Sequence, residues 1–286
     1  MSDKNHKSEK NDVLNNKKIS FIGGGNMAQA LISGLLGCGV KPESITVADP
    51  SEDIRQQLDA KGLNTVDPTA DAKAAVKDAD LVVLAVKPQV MKVVVSGFTD
   101  VLDKQLVMSV AAGLSTDILA TMLGGYQNIV RAMPNTPAMI QMGATGLYAT
   151  DSISEEQKQL ATAAMEASGL VTWVENEEQM HAVTAVSGSA PAYVFYFLES
   201  MIDKAVAQGL DKQQASTLAM QTVMGAAKMA MDSEDAPSEL RRKVTSPNGT
   251  TQAAVESLQA NEVGHQIGEA MQACYERSQA LSEEMK

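Results

Sequence analysis

Six residues near the start of the chain, Gly23-Gly24-Gly25-Asn26-Met27-Ala28, have the types and spacing to cradle a phosphate. They fit the pattern G-x-G-x-x-G/A, with Ala28 at the third small position. Gly23 permits a tight turn, Gly25 lets backbone approach a pyrophosphate, and Ala28 allows close packing of a helix on a strand. Free N–H groups at the start of that helix would face the phosphates. Ile19–Ile22 reads as a short buried strand running into the glycines, and Met27–Gly37 carries helical periodicity. That strand–turn–helix context is what a dinucleotide site requires. Ile22, Gly23, Gly24, Gly25, Asn26, Met27 and Ala28 are therefore the expected cofactor contacts, with a merely flexible turn as the alternative.

Three further strand ends could complete such a site. Asp49 closes the second strand, where an acidic residue commonly meets the adenosine ribose of NADH and would repel the extra phosphate of NADPH. Equally, Asp49-Pro50-Ser51 could simply turn into the next helix with Ser51 as its N-cap, so the choice between NADPH and NADH stays open. Ala85-Val86-Lys87-Pro88 follows the apolar run Leu81–Val86, at the edge where open α/β sheets bind ligands. Lys87 could offset phosphate charge or remain a solvated lysine. Val110-Ala111-Ala112-Gly113 ends another strand with small residues, leaving room for a flat nicotinamide ring or reflecting close packing alone.

Later in the chain, Ser246-Pro247-Asn248-Gly249-Thr250-Thr251 joins a tight turn to the start of a helix. Backbone N–H groups and hydroxyls there suit an anion, and a substrate carboxylate is a natural occupant. An N-capping turn that touches nothing is the plain alternative. Arg131-Ala132-Met133-Pro134-Asn135-Thr136-Pro137 places a Pro-rich loop at another strand end, where it would shape a site floor. Val186-Ser187-Gly188-Ser189-Ala190-Pro191 suits close helix packing or a dimer interface.

Other chemistries find little support. There is no G-x-S-x-G elbow, no H-E-x-x-H and no P-loop lysine. His6, His181 and His265 have no recognisable partners, and Cys38 and Cys274 lack metal-ligand spacing, so no metal is expected. The net charge of −12 disfavours nucleic acid and anionic lipid. No apolar run approaches the roughly 20 residues that span a bilayer, and no secretory signal opens the chain. A cytoplasmic protein is the expectation.

The elements that must position these residues follow from periodicity. Residues 1–17 are polar and charged, the composition of a disordered tail. Up to Val174 short apolar strands alternate with helices, which implies a Rossmann-type parallel sheet over residues 18–176. Residues 177–286 show only helical patterns, at about 177–187, 190–208, 211–232, 236–243, 249–260 and 263–283.

Four segments in order, Ile22–Ala28, Ala85–Gln89, Met133–Pro137 and Ser246–Thr251, resemble the pyrroline-5-carboxylate reductases. The likeness spans nearly all of the chain after the tail. It implies reduction of a cyclic imine, Δ1-pyrroline-5-carboxylate, to L-proline with NADPH or NADH. Thr251 would hydrogen-bond the ring nitrogen and relay the proton. Ser246 and the backbone of Gly249, Thr250 and Thr251 would hold the carboxylate. Residues 177–286 would carry substrate binding and an obligate homodimer, with rings of dimers open. Ala190 and Asn248 stand where the family usually has glycine, and Asn tolerates positive φ better than most residues. The rivals are a reductase of the same fold acting on another imine or a β-hydroxyacid, which would use Lys204, Lys212 or Lys228, and a nucleotide sensor without catalysis.

Overall fold

The computed structural model describes residues 13–285. The chain divides into two compact units, one running to Ser189 and resuming at Cys274, the other comprising Ala190–Ala273.

The first unit is built on β1 (Ile19–Ile22), α1 (Asn26–Gly37), β2 (Ile45–Ala48), α2 (Glu52–Asp59), β3 (Asn64–Val66), α3 (Pro68–Val76), β4 (Leu81–Leu84) and α4 (Pro88–Val95). It continues with β5 (Leu106–Ser109), α5 (Thr116–Met122), β6 (Ile129–Met133), β7 (Gly143–Ala149), α6 (Glu155–Glu166), β8 (Gly169–Trp173) and α7 (Gln179–Val183). The sheet order is β3-β2-β1-β4-β5-β6-β7-β8. Its first six strands are parallel and reverse direction of winding between β1 and β4, the switch point at which this architecture opens a ligand crevice.

Continuous apolar strands need cover on both faces. Ile19, Phe21, Leu81 and Val83 pack into one core with Leu31, Ile32 and Leu35 of α1. Their strand neighbours Ile22, Val82 and Leu84 enter a second core with Met91, Val95 and Phe98. The expected Rossmann-type domain is thus present, with the last two strands, β7 and β8, reversed relative to the other six. β7 runs antiparallel to β6. Its sequence, Gly143-Ala144-Thr145-Gly146-Leu147-Tyr148-Ala149, lacks the apolar character of the other strands because close approach replaces side-chain packing: a Cβ on Gly146 would lie 2.5 Å from Val183 Cγ1, and one on Gly143 2.9 Å from Ser168 O.

The disordered segment expected over residues 1–17 needs correction at its end. Residues 1–12 and His6 among them lie outside the described residues, but Leu14 is only 3% exposed and joins the core of β1 and α1. Lys17 stands 3.8 Å from Asp80, and the Lys18 N–H donates to the same carboxylate at 2.8 Å. Two adjacent apolar residues, Val13 and Leu14, are enough to dock the chain ahead of β1.

The change from alternation to helices falls where the sequence places it, but packing divides the chain elsewhere. α7 continues as a π-helical stretch, Thr184–Gly188, and both belong with the sheet. The other unit holds α8 (Ala190–Ala207), α9 (Lys212–Asp232), α10 (Pro237–Lys243) and α11 (Thr250–Ala260). The last helix, α12 (Val263–Glu284), contributes its early residues to this unit and, from Cys274, to the first. Within the helical unit α8 and α9 pack on each other, and Asp211 caps α9 by accepting from Gln214 N–H at 3.0 Å. Only Ala215 and Ala219 of α8 and α9 are buried, while Phe195, Tyr196, Phe197, Leu218, Met224 and Met229 are all more than half exposed. A helical layer with so little core of its own presents an apolar face suited to association.

Candidate functional site

Each glycine of the first turn has its own physical reason. Gly23 has φ +100°, and a Cβ there would stand 2.9 Å from both Ala85 O and Val86 Cγ1. A Cβ on Gly24 would stand 2.7 Å from Ile54 Cγ2. Gly25 has an ordinary φ of −69° and nothing within 4 Å of where its Cβ would be. No packing demand explains a glycine at this position; open space over the N-cap of α1 is what a pyrophosphate needs for backbone approach. No side chain caps α1, so its first N–H groups remain available to an anion. Ala28 is fully buried between α1 and the sheet, as its small size requires. Ile22 is buried beneath the turn, whereas Asn26 and Gly25 are exposed at its rim and Met27 is half-buried.

At the end of β2, Asp49 is committed to the protein itself. Oδ2 accepts from Gly24 N–H at 2.7 Å and Oδ1 from Ser51 N–H at 2.9 Å, and the residue is 8% exposed. Ser51 caps α2 through Ile54 N–H. The turn expected at Asp49-Pro50-Ser51 is formed, with Ser51 as the N-cap of α2. Arg55 donates from Nη1 to the Asp49 carbonyl at 2.7 Å, a contact the sequence did not disclose.

The other expected contacts gather at the same edge of the sheet. The Gly23 turn ends β1, and Ala85, Val86, Lys87 and Pro88 end the neighbouring β4 and open α4. Lys87 is exposed, while Ala85 and Val86 are half-buried against the glycine turn. Val110, Ala111 and Ala112 follow β5, with Ala111 N–H bonded to Ser109 Oγ at 3.2 Å and Ala112 exposed. Gly113 has φ +80° and lies against Leu281 of α12. In the loop after β6, Asn135 is buried; its Nδ2 donates to Ser187 O at 3.0 Å and its Oδ1 accepts from Ala144 N–H at 2.9 Å. It fastens the Pro-rich loop to the π-helical stretch and to the start of β7.

A polar network behind these strand ends was not legible in the sequence. Arg131 on β6 is buried and pairs with Glu177 at 3.1 Å, and Glu177 also accepts from Thr116 N–H at 2.8 Å and Thr116 Oγ1 at 2.7 Å. His181, expected to lack partners, has them. Its Nδ1 is 2.8 Å from Ser278 Oγ, and its ring meets Tyr275 edge-on at 5.8 Å. Burial, then the charge of Arg131, holds the His181 pKa below the usual histidine range, with Glu178 and Glu177 opposing. The partners lie 97 residues away on α12, beyond any local pattern. His265 stands 4.0 Å from Glu269 on an exposed face.

In the helical unit, the Ser246–Thr251 segment forms the expected turn. Gly249 N–H bonds to Ser246 O at 3.1 Å, and Asn248 adopts φ +59°, the left-handed conformation that Asn tolerates. Gly249 is the N-cap of α11 without a side-chain cap, so the N–H groups of Thr250 and Thr251 have no partner inside the helix. Gln252 Oε1 takes the Asn248 N–H at 2.6 Å and stiffens the turn. Ser246, Thr250 and Thr251 are exposed. Ala190 begins α8 and is not among the residues with positive φ, so the chain needs no glycine there. Among the described residues no group of His, Cys, Asp or Glu is placed to hold a metal ion, and no helix is long and apolar enough to cross a membrane.

Comparison with known proteins places both parts of the chain. A family model for pyrroline-5-carboxylate reductase dimerisation matches residues 177–281, and one for NADP oxidoreductase, coenzyme F420-dependent, matches residues 18–113. A pyrroline-5-carboxylate reductase of Pseudomonas aeruginosa is 44% identical across 95% of this chain and 99% of its own length. That of Escherichia coli is 40% identical across 93% and 98%. Among solved structures, a pyrroline-5-carboxylate reductase from Coxiella burnetii superposes with a TM-score of 0.89 at 41% identity, covering 94% of this chain and 99% of that one. A Plasmodium falciparum pyrroline carboxylate reductase with NADP bound superposes at 0.83 with 29% identity, covering 93% and 98%.

Proposed function

The chain belongs to the pyrroline-5-carboxylate reductase family, and from that premise we propose how its residues carry the reaction. It is an NAD(P)H-dependent reductase that converts 1-pyrroline-5-carboxylate to L-proline, the last step of proline biosynthesis.

The residues of the first unit fit a dinucleotide. The open space over Gly25 receives the pyrophosphate, and the uncapped N-terminus of α1 offsets its charge. Ile22–Ala28, Ala85–Pro88 and Val110–Ala112 line the cofactor, with the small side chains of Ala111 and Ala112 at the nicotinamide. When bound, the reduced nicotinamide supplies the hydride.

The chain's own residues supply orientation and a proton. A protonated cyclic imine is already electrophilic at carbon, so it needs alignment more than a strong base. Ser246 and the N–H groups of Thr250 and Thr251 hold the substrate carboxylate, with Gly249 shaping the turn. The Thr251 hydroxyl hydrogen-bonds the ring nitrogen and relays to it, from solvent, the proton that makes the imine cationic; hydride addition at carbon then leaves the neutral ring N–H of proline. The observation that carries this assignment is the N-cap of α11: a glycine with no capping side chain, two hydroxyl residues just beyond it, and an anion's worth of unused N–H donors.

The functional division we propose follows the change of pattern, with residues 18–176 for the dinucleotide and 177–286 for substrate and self-association. The match to a dimerisation model makes the protein a homo-oligomer. The exposed apolar face of α8 and α9 supports a homodimer, and rings of such dimers are the larger assembly we propose. The proposed location is the cytoplasm, and neither nucleic acid nor membrane is a proposed partner.

The rivals are separated by one assay. Purified protein is mixed with NADH or NADPH and the imine, and separately with NAD+ or NADP+ and β-hydroxyacids. Oxidation of reduced cofactor with the imine alone is expected. Turnover of a hydroxyacid would favour the lysine-dependent rival, although Lys228 is tied to Asp232 at 2.5 Å. Cofactor binding without turnover would favour the sensor.

A further inference from the structure

We infer that Arg55 reads the 2′ position of the cofactor's adenosine ribose in favour of its phosphorylated form, and that Asp49 braces the glycine turn instead of choosing between the two forms. This deepens the dinucleotide reading and rests on it.

A carboxylate that selects the unphosphorylated ribose must offer oxygens to the 2′- and 3′-hydroxyls. Both oxygens of Asp49 already hold backbone N–H groups: Gly24 on the phosphate turn at 2.7 Å, and Ser51 at the head of α2 at 2.9 Å. At 8% exposure the group presents little surface to a ligand. Its geometry is that of a strut between two loops, and removing it should loosen the turn for either cofactor alike.

Arg55 is differently placed. Its Nη1 is anchored on the Asp49 carbonyl at 2.7 Å, which fixes the guanidinium at the carboxyl end of β2. That edge is where the adenosine ribose lies in a sheet of this order. Its second amino group is 3.5 Å from Asp67, too long for a good hydrogen bond. Asp67 takes Thr69 N–H at 2.9 Å and Thr69 Oγ1 at 2.7 Å on its other oxygen, Oδ1, and its side chain is 37% exposed, so water can serve the Oδ2 that faces Arg55. Arg55 can therefore turn donors to a phosphate without stranding the acid. A guanidinium fork suits phosphate oxygens better than any other side chain. The charged side chain beside the guanidinium is the acid Asp67, so a phosphate there depends on Arg55 to offset it, and loss of the arginine should be felt directly.

The test is direct titration of the full-length protein with NADPH and with NADH, without the imine, read by nicotinamide fluorescence. The wild-type protein should bind NADPH more tightly. Arg55→Ala should lower the NADPH-to-NADH affinity ratio about tenfold or more, as loss of a charge-assisted phosphate contact does. Arg55→Lys should recover part of it, and Asp67→Asn, which can still cap its helix, should raise it. Asp49→Ala should weaken both cofactors in parallel and leave the ratio in place. An unchanged ratio in Arg55→Ala, a wild-type preference for NADH, or a shift toward NADPH in Asp49→Ala would overturn the inference while the dinucleotide site stands. Failure to bind either nucleotide would overturn both.

Discussion

Arg131 and Glu177 form an ion pair that fastens β6 to the segment entering α7: Nη1 stands 3.1 Å from Oε1, and the arginine side chain is 4% exposed. Thr116 joins the same carboxylate from the head of α5 through both its N–H and its hydroxyl. Three elements at the ligand edge of the sheet thus share one acid.

Removing that acid leaves a buried guanidinium without its hydrogen-bonded counter-charge. Glu177→Ala should lower the unfolding free energy by about 3 kcal/mol, the scale for breaking a buried pair from one side. Urea denaturation checks this, and an unchanged midpoint would mean that the network is not what holds β6 and α5 to the start of α7.

The glycines of the phosphate turn should separate folding from binding. Gly23→Ala forces a left-handed φ and a backbone clash, so thermal stability should fall together with cofactor affinity. Gly25→Ala meets no protein atom and keeps its φ, so stability should hold while the KM for NAD(P)H rises about tenfold or more. Melting curves beside cofactor titrations distinguish the two; equal behaviour would count against a ligand over Gly25.

Thr251→Val keeps the shape of the side chain and removes the hydroxyl. Turnover should fall about a hundredfold, the usual scale for losing a positioned proton-relay group, while cofactor affinity stays within about twofold. Thr251→Ser should retain most activity. Full activity in the valine variant would remove Thr251 from the chemistry.

His181 makes a pH prediction. Its folded pKa is depressed, by burial first and by Arg131 second, so the native state favours the neutral ring. Above the unfolded value of about 6.5 both states are neutral and no penalty exists. As pH falls below it, the unfolded chain takes up a proton that the native ring refuses, and stability declines until the lowered folded pKa is reached. Thermal melts from pH 8 to pH 5 should therefore show a smaller acid loss in His181→Gln than in the wild-type protein. Parallel curves would assign the acid sensitivity to the carboxylates alone.

Much of this was written in local pattern. The β1–glycine–α1 unit, the strand ends at Ala85–Pro88 and Val110–Ala112, and the helices from Ala190 to Glu284 follow from periodicity and turn chemistry that act over a few residues. Elements defined by distant partners were not. β7 hides behind Gly143 and Gly146 because its packing is backbone against neighbour, and the place of Leu14 depends on a core assembled later in the chain. Asp49 shows the limit most clearly. Its position at the end of β2 was readable, but whether its oxygens serve a ribose or Gly24 and Ser51 depends on distances across two loops. His181 needed Ser278 on a helix almost a hundred residues on, and no local spacing announces such a pair.

The most direct measurement counts product against cofactor. Full-length protein incubated with 1-pyrroline-5-carboxylate and NADPH or NADH should form one L-proline for each reduced cofactor consumed, with neither change in the absence of protein. Cofactor that binds yet is not oxidised, or is oxidised without proline appearing, would contradict imine reduction by this chain.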